Sequence, residues 1–177
     1  HYRQFHCTRG VFGLIKKQHK EGGWGNPGGE IFTAPLHETV NGKIFLDGTI
    51  GKLGHVEDVV MPIKDGKLLL DEITSRDPEL LSKIKAYFNS NVDEGAHFVG
   101  ELGIGVSSGI KYSGDSLSDE KAMGTIHFGI GDSESERGTG GKIVSKSHID
   151  VVLARPTLKA KISGEWKTII DDGKMVV

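Results

Sequence analysis

The chain has 177 residues, a net charge of −2 and a pI near 6.5, which suits one domain with a sizeable core. No basic block marks a nucleic-acid partner, and no apolar run approaches the ~20 residues that cross a bilayer. A lone cysteine, Cys7, excludes a disulfide within the chain, and without a signal-peptide pattern at the start a cytoplasmic setting is expected.

In chain order, residues 10–20 read as a strand or the end of a longer element, and 21–30, "EGGWGNPGGE", as a loop. "EIFTAPL", 30–36, is β-branched and aromatic enough for a strand. "VNGKIFLDGTIG", 40–51, carries turn signals at Asn41-Gly42 and Asp47-Gly48, so hairpins are expected there. Residues 56–74 read as two strands joined at Asp65-Gly66. One amphipathic helix is expected over about 78–89: Asp77 suits the N-cap, Pro78 the first turn, and Leu80, Leu81, Ile84, Tyr87 and Phe88 share a face. A shorter helix over 117–123 is expected, capped by Ser118. The last segment, 163–177, reads as a hairpin turning at Asp172-Gly173. Strands outnumber helices, and 26 glycines supply tight turns. The expected fold class is α+β, with a strand-rich mixed or antiparallel sheet able to curl into a barrel.

The chemistry-bearing residues sit at the edges of apolar runs. Glu30 closes "GNPGGE", Glu101 opens "GELGIG", His127 lies in "GTIHFGIG", and His148 and Asp150 lie two apart in "KSHID". Residues two apart on a strand share a face, so His148 and Asp150 aim at one place. A polar group in an apolar run needs a partner, and small neighbours let a ligand approach. Each of these residues alone has an ordinary explanation: a hydrogen-bonded core histidine, a turn glutamate, a cross-strand pair. Together, two glutamates, two histidines and an aspartate form an N/O set suited to Zn²⁺, Co²⁺, Mn²⁺ or Fe²⁺. Asp93 reads as a turn former or an outer partner of the site. His97 stands too far along a continuous strand from Glu101 to share an ion with it. His1, His6, His19, His37 and His55 carry no motif and read as surface residues.

"GNPGGEIFTAP", "VNGKIFLDG", "DEGAHFVGELGIG", "GTIHFGIG" and "SHIDVVL", in that order, resemble the catalytic domain of the thermophilic aminopeptidases of peptidase family M29, over about residues 22–155. The resemblance implies two divalent ions (Zn, Co or Mn) held by Glu30, Glu101, His127, His148 and Asp150. It also implies removal of N-terminal residues from peptides, and a homodimer. Glu30 or Glu101 would serve as general base or bridging ligand, which sequence does not separate. Family members carry a further α/β domain before this one, so 1–177 is expected to be a single metal-binding catalytic-type domain, the C-terminal part of a longer chain. The family also carries a tyrosine seven residues after the histidine matching His127; here that position is Glu134, in "GDSESERG". Losing a hydroxyl that can donate to a developing oxyanion costs about 10²–10³ in rate. Metal binding with weak or redirected aminopeptidase activity is therefore expected, with Tyr112 a possible replacement from another loop. Two other readings remain open. His127, His148 and Asp150 alone are the 2-His-1-carboxylate set of non-haem Fe(II) enzymes, used by ring-cleaving dioxygenases resembling the same fold, with a small-molecule substrate. The domain could also bind metal without catalysis.

Overall fold

A computed structural model describes residues 6–7, 28–90, 93–133 and 140–176. The element expected at 10–20 and most of the glycine loop before Glu30 lie outside them. The strands are β1 (His6–Cys7), β2 (Glu30–Thr33), β3 (Gly42–Ile50), β4 (Gly54–Lys64), β5 (Lys67–Leu68), β6 (Thr74–Ser75), β7 (Val99–Gly105), β8 (Ile126–Gly131), β9 (His148–Leu153), β10 (Leu158–Ile162), β11 (Glu165–Asp171) and β12 (Lys174–Met175). Helix α1 spans Pro78–Phe88 and a single turn, α2, spans Ser116–Asp119.

The main sheet runs β1-β2-β7-β8-β9-β3-β4-β5, with β6 added on β4; β10-β11-β12 form a second sheet. Every described strand pairing is antiparallel. The sheet curls without closing into a barrel: β5 returns to the start of β7 through one bridge, Lys67 to Phe98. Inside the curl, Ile44, Leu46, Val59, Met61, Val99, Ile130 and Val151 pack with Ile84 and Phe88 of α1. The helix forms where its sequence signals place it. Asp77 Oδ1 accepts from the amides of Glu79 (2.9 Å) and Leu80 (3.1 Å), and Pro78 needs no partner at the first position.

Two turn signals are realised. Asp65-Gly66 (φ 49° and 79°) and Asp172-Gly173 (45° and 76°) both use the left-handed pair of a type I′ hairpin. A third such turn, Ser163-Gly164 (52° and 88°), joins β10 to β11 and escaped the sequence reading. The expected turns at Asn41-Gly42 and Asp47-Gly48 are corrected. Gly42 opens β3, and the Asn41 side chain instead accepts from the Asp65 amide at 2.8 Å. Asp47 is a bulge within β3, and Gly48 is glycine because a Cβ there would lie 1.8 Å from the Val152 carbonyl oxygen. The short helix also shifts: α2 is capped by Asp115, whose carboxylate accepts from the Ser118 amide and hydroxyl, and it ends at Asp119.

Candidate metal centre

The alternation of β7, β8 and β9 builds the site. Cross-strand partners place Gly103 beside His127, Glu101 beside Gly129, Gly129 beside Asp150, and Gly131 beside His148. Glu30, on β2, lies opposite Gly105 of β7. One face of four neighbouring strands therefore carries Glu30, Glu101, His127, His148 and Asp150, with glycines between them. The glycines are room for rings. A Cβ on Gly103 would lie 2.1 Å from the His127 ring, and one on Gly129 would lie 2.6 Å from the His148 ring.

All five residues singled out in sequence meet here in a chain of contacts. His127 Nε2 is 2.9 Å from Glu101 Oε1 and 3.4 Å from Glu30 Oε2. Glu101's other oxygen, Oε2, is 3.5 Å from His148 Nε2, which is 3.1 Å from Asp150 Oδ1. Ligand atoms of Glu30, Glu101 and His127 all lie within 4.8 Å of one another, so one cation can span them. His148 and Asp150 extend this group through Glu101. Glu30, Glu101 and His127 are buried, while the His148 and Asp150 side chains are 28% and 23% exposed, so the site opens at that end. His148 Nδ1 lies 2.8 Å from the Asp132 carbonyl; donating there leaves Nε2, which is 3.1 Å from Asp150 Oδ1, as the nitrogen a cation would take once its proton is lost. His127 Nδ1 is buried with no hydrogen-bond partner among the described residues.

Two residues went unnoticed in the sequence. Glu120 and Lys121 follow α2 and turn inward, 6% and 1% exposed. The Lys121 ammonium contacts the Glu120 carboxylate and lies 3.4 Å from Glu30 Oε1. Glu120 and Asp150 also influence each other's proton affinity, the Asp150 charge raising Glu120. Within the short helix expected over 117–123, two consecutive charged residues pass for a solvated face; the signal against that is nearness to His127 in sequence.

Electrostatics reflect the crowding. Burial, then the Asp150 charge, pushes Glu120 up to about 8 against the pull of Lys121. Burial raises Glu30 too, opposed by Lys121 and His127. Burial alone would lower His148, but the Asp150 hydrogen bond and charge and then Glu101 outweigh it and raise it to about 10. Asp150, despite burial, is held down at about 2 by His148. For His127, burial again opposes, and Glu101 wins and raises it. Four carboxylates facing one lysine and two imidazoles, largely withdrawn from water, form a set that a divalent cation fits: each such group is costly to bury unless paired.

The other candidates fall elsewhere. His97 Nε2 is 3.1 Å from the Phe88 carbonyl at the end of α1, away from the site. Asp93 accepts from the amides of Gly95 and Lys146, clasping a turn to the approach of β9. Of the histidines read as surface residues, His55 is exposed and contacts Tyr112 and Glu57. The Tyr112 hydroxyl is held by Thr49 and His55, each at 2.7 Å, and makes no hydrogen bond to the five site residues. Glu134 lies outside the described residues.

A face of carboxylates and imidazoles converging from four strands offers a group, Glu30, Glu101 and His127, that could hold a metal ion. The chain belongs to the thermophilic metalloprotease family M29, whose model matches residues 16–173. Among solved structures, the fold is similar to 2,5-dihydroxypyridine dioxygenase from Pseudomonas putida KT2440, with a TM-score of 0.62 at 19% identity. That likeness covers 85% of this chain and 44% of the dioxygenase chain, so this chain spans under half its length. No curated protein matches the chain. No described helix is long and apolar enough to cross a membrane.

Proposed function

We propose that this domain is the catalytic part of a metal-dependent aminopeptidase, with two divalent-cation positions that share Glu101. The carrying observation is that the Glu101 oxygens face different histidines, Oε1 toward His127 and Oε2 toward His148. Glu30, Glu101 and His127 would hold one ion, and Glu101, His148 and Asp150 the other. Two such ions supply a water of lowered pKa and Lewis acidity toward a scissile carbonyl. The chain's own residues orient and bind. Asp132 sets the His148 tautomer, the glycines leave room for the two imidazole rings, and the open end at His148 and Asp150 admits the peptide N-terminus. The position of Glu101 favours the bridging-ligand role over the general-base role. We further propose a cytoplasmic homodimer, with Zn, Co or Mn as the ion.

Anomalous scattering at the metal edges tests the site. Two ions with Glu101 between them are expected; one ion without Glu101 would overturn the arrangement. With Glu134 at the family's tyrosine position and the Tyr112 hydroxyl engaged elsewhere, amino-acid anilides should turn over well below the ~10 s⁻¹ of a typical enzyme. Faster turnover with Co²⁺, Zn²⁺ or Mn²⁺ would show that the tyrosine is dispensable.

A second reading, a ring-cleaving Fe(II) dioxygenase, is favoured by the fold likeness together with His127, His148 and Asp150 on one face. Oxygen uptake with Fe²⁺ and a dihydroxypyridine, and no peptide hydrolysis, would replace the first reading with this one.

A further inference from the structure

Where β3, the start of β4 and the segment before α2 meet, four hydrogen bonds run in series. Thr49 Oγ1 donates to Asp119 Oδ2 at 2.7 Å, and the Tyr112 hydroxyl lies 2.7 Å from Thr49 Oγ1. His55 Nδ1 lies 2.7 Å from the Tyr112 hydroxyl, and His55 Nε2 lies 3.1 Å from Glu57 Oε1. Each link needs one proton. Asp119 is fully buried and already accepts from the amides of Ser113 and Gly114, so it is the acceptor that ends the series. Thr49 then commits its only proton to Asp119, and Tyr112 commits its own to Thr49. Burial pushes the Tyr112 hydroxyl above its usual value, which keeps that proton in place. His55 Nδ1 must therefore donate to Tyr112. The Glu57 carboxylate can only accept, so the fourth link takes a second proton from the same ring. Thr49 and Tyr112 supply one proton each, and only an imidazolium supplies the other two.

We propose that this series is a proton-gated clasp on the segment between β7 and α2, complete only while His55 carries both ring protons. Tyr112, Ser113 and Gly114 belong to that segment and are fixed through Thr49, His55 and Asp119. When the exposed ring gives its second proton to solvent, three protons remain for four links, and either tautomer leaves one link empty. With the proton on Nδ1, the Nε2 lone pair faces the Glu57 carboxylate. With the proton on Nε2, Tyr112 turns its own toward Nδ1, and the Tyr112 and Thr49 oxygens face each other at 2.7 Å with no proton between them. The charged groups around the ring are Glu57 and Asp58 on its own strand and Asp119 behind Thr49, with Arg76, Asp77 and Lys83 across a shared depression. Arg76 lies 3.6 Å from Asp58, and Asp77 caps α1, so Glu57 is the carboxylate that the second proton answers.

The test is NMR of the full chain with ¹⁵N-labelled histidine, which reads the proton on each ring nitrogen, together with hydrogen exchange at the Ser113 and Gly114 amides. Raising the pH across the range in which histidine titrates should speed exchange at both amides about 2–10-fold relative to the amides of β8, the scale of one hydrogen bond. Two variants relieve the proton shortage in opposite ways. Glu57→Gln turns a side-chain N–H toward Nε2, so a neutral ring with its proton on Nδ1 fills every link. Thr49→Val deletes two links, and a neutral ring with its proton on Nε2 fills the two that remain. Opposite tautomers are expected in the two variants, and the extra exchange at high pH should vanish in both. The same tautomer in both overturns the proposal, as does exchange at Ser113 and Gly114 that follows β8 at every pH in the wild type. Thr49 is buried; should its variant not fold, Glu57→Gln decides alone, because the Glu57 side chain is 73% exposed. Glu57→Gln with its proton on Nε2, or with the pH-dependent exchange of the wild type, overturns the clasp.

Discussion

Strands β8 and β9 have two faces that follow opposite rules. On one, Ile130 and Val151 are fully buried in the core formed with α1. On the other, His127 is 1% exposed yet meets carboxylates, and glycine stands where a core would have a side chain. The first face stabilises the fold by removing apolar surface from water. The second gathers charge that the fold must bury, and its glycines give up packing to keep rings and carboxylates in reach. The comparison teaches that stability and chemistry here are separated by the pleat of a strand, one residue apart.

The sharpest way to break that comparison is to remove a ligand. His127→Ala should lose more than about 100-fold in metal affinity, beyond the effect of an outer partner, and should also lower the melting temperature of the chelator-treated protein, because Glu101 and Glu30 are left buried without that partner. Metal affinity within about tenfold of the wild type would erase the distinction. Ile130→Ala, on the other face, should cost about 2–4 kcal/mol from lost burial and the cavity left behind, with metal stoichiometry unchanged in the folded protein. Thermal melts and elemental analysis decide both.

The pH dependence sharpens the charged face. Glu120, raised from 4.5 to about 8, and His148, raised from 6.5 to about 10, both hold more protons folded than unfolded across those windows. Stability of the metal-free protein should therefore fall as pH rises from about 4.5 through 10. For His148 the contribution is complete below 6.5 and lost through about 10. Asp150, lowered from 3.8 to about 2, adds stability above 3.8 that is lost as pH falls through about 2. Melts of chelator-treated protein should peak near pH 4–5, whereas added Co²⁺ should protect better as pH rises, because ligands must shed protons to bind. A metal-free melting temperature that climbs between pH 5 and 8 would contradict the assigned charges. The smallest effect belongs far from both faces: Asp77→Ala should cost about 1 kcal/mol of helix capping and leave metal binding untouched. Weakened metal binding in that variant would mean that α1 is coupled to the site.

What was legible follows from how local each cause is. Asp77-Pro78 marks a helix start through contacts within four residues, and Asp65-Gly66 marks a hairpin through its own backbone angles. His148 and Asp150 declared a shared face through period-two geometry alone. Asp47-Gly48 misled because the same dipeptide serves a different need: the glycine answers Val152 of β9, more than a hundred positions away. Glu120 and Lys121 were hidden for a like reason. A charged pair after a short turn looks solvated until Glu30 and Asp150 are folded against it.

The sheet order has a consequence for biosynthesis. Glu30 enters the sheet on β2, yet its neighbours on the ligand face come from β7, β8 and β9, and Asp150 is the last of the five to be made. Pairings of such long sequence separation form late, since their loop closure must precede any gain from the contact. An emerging chain therefore holds isolated carboxylates and imidazoles, each a weak and unselective trap for whatever cation is abundant. Only when β9 docks between β8 and β3 do they become one geometry. On the metal-site reading proposed above, the ion would be selected after translation, by a finished sheet, rather than by the first metal to meet the nascent chain.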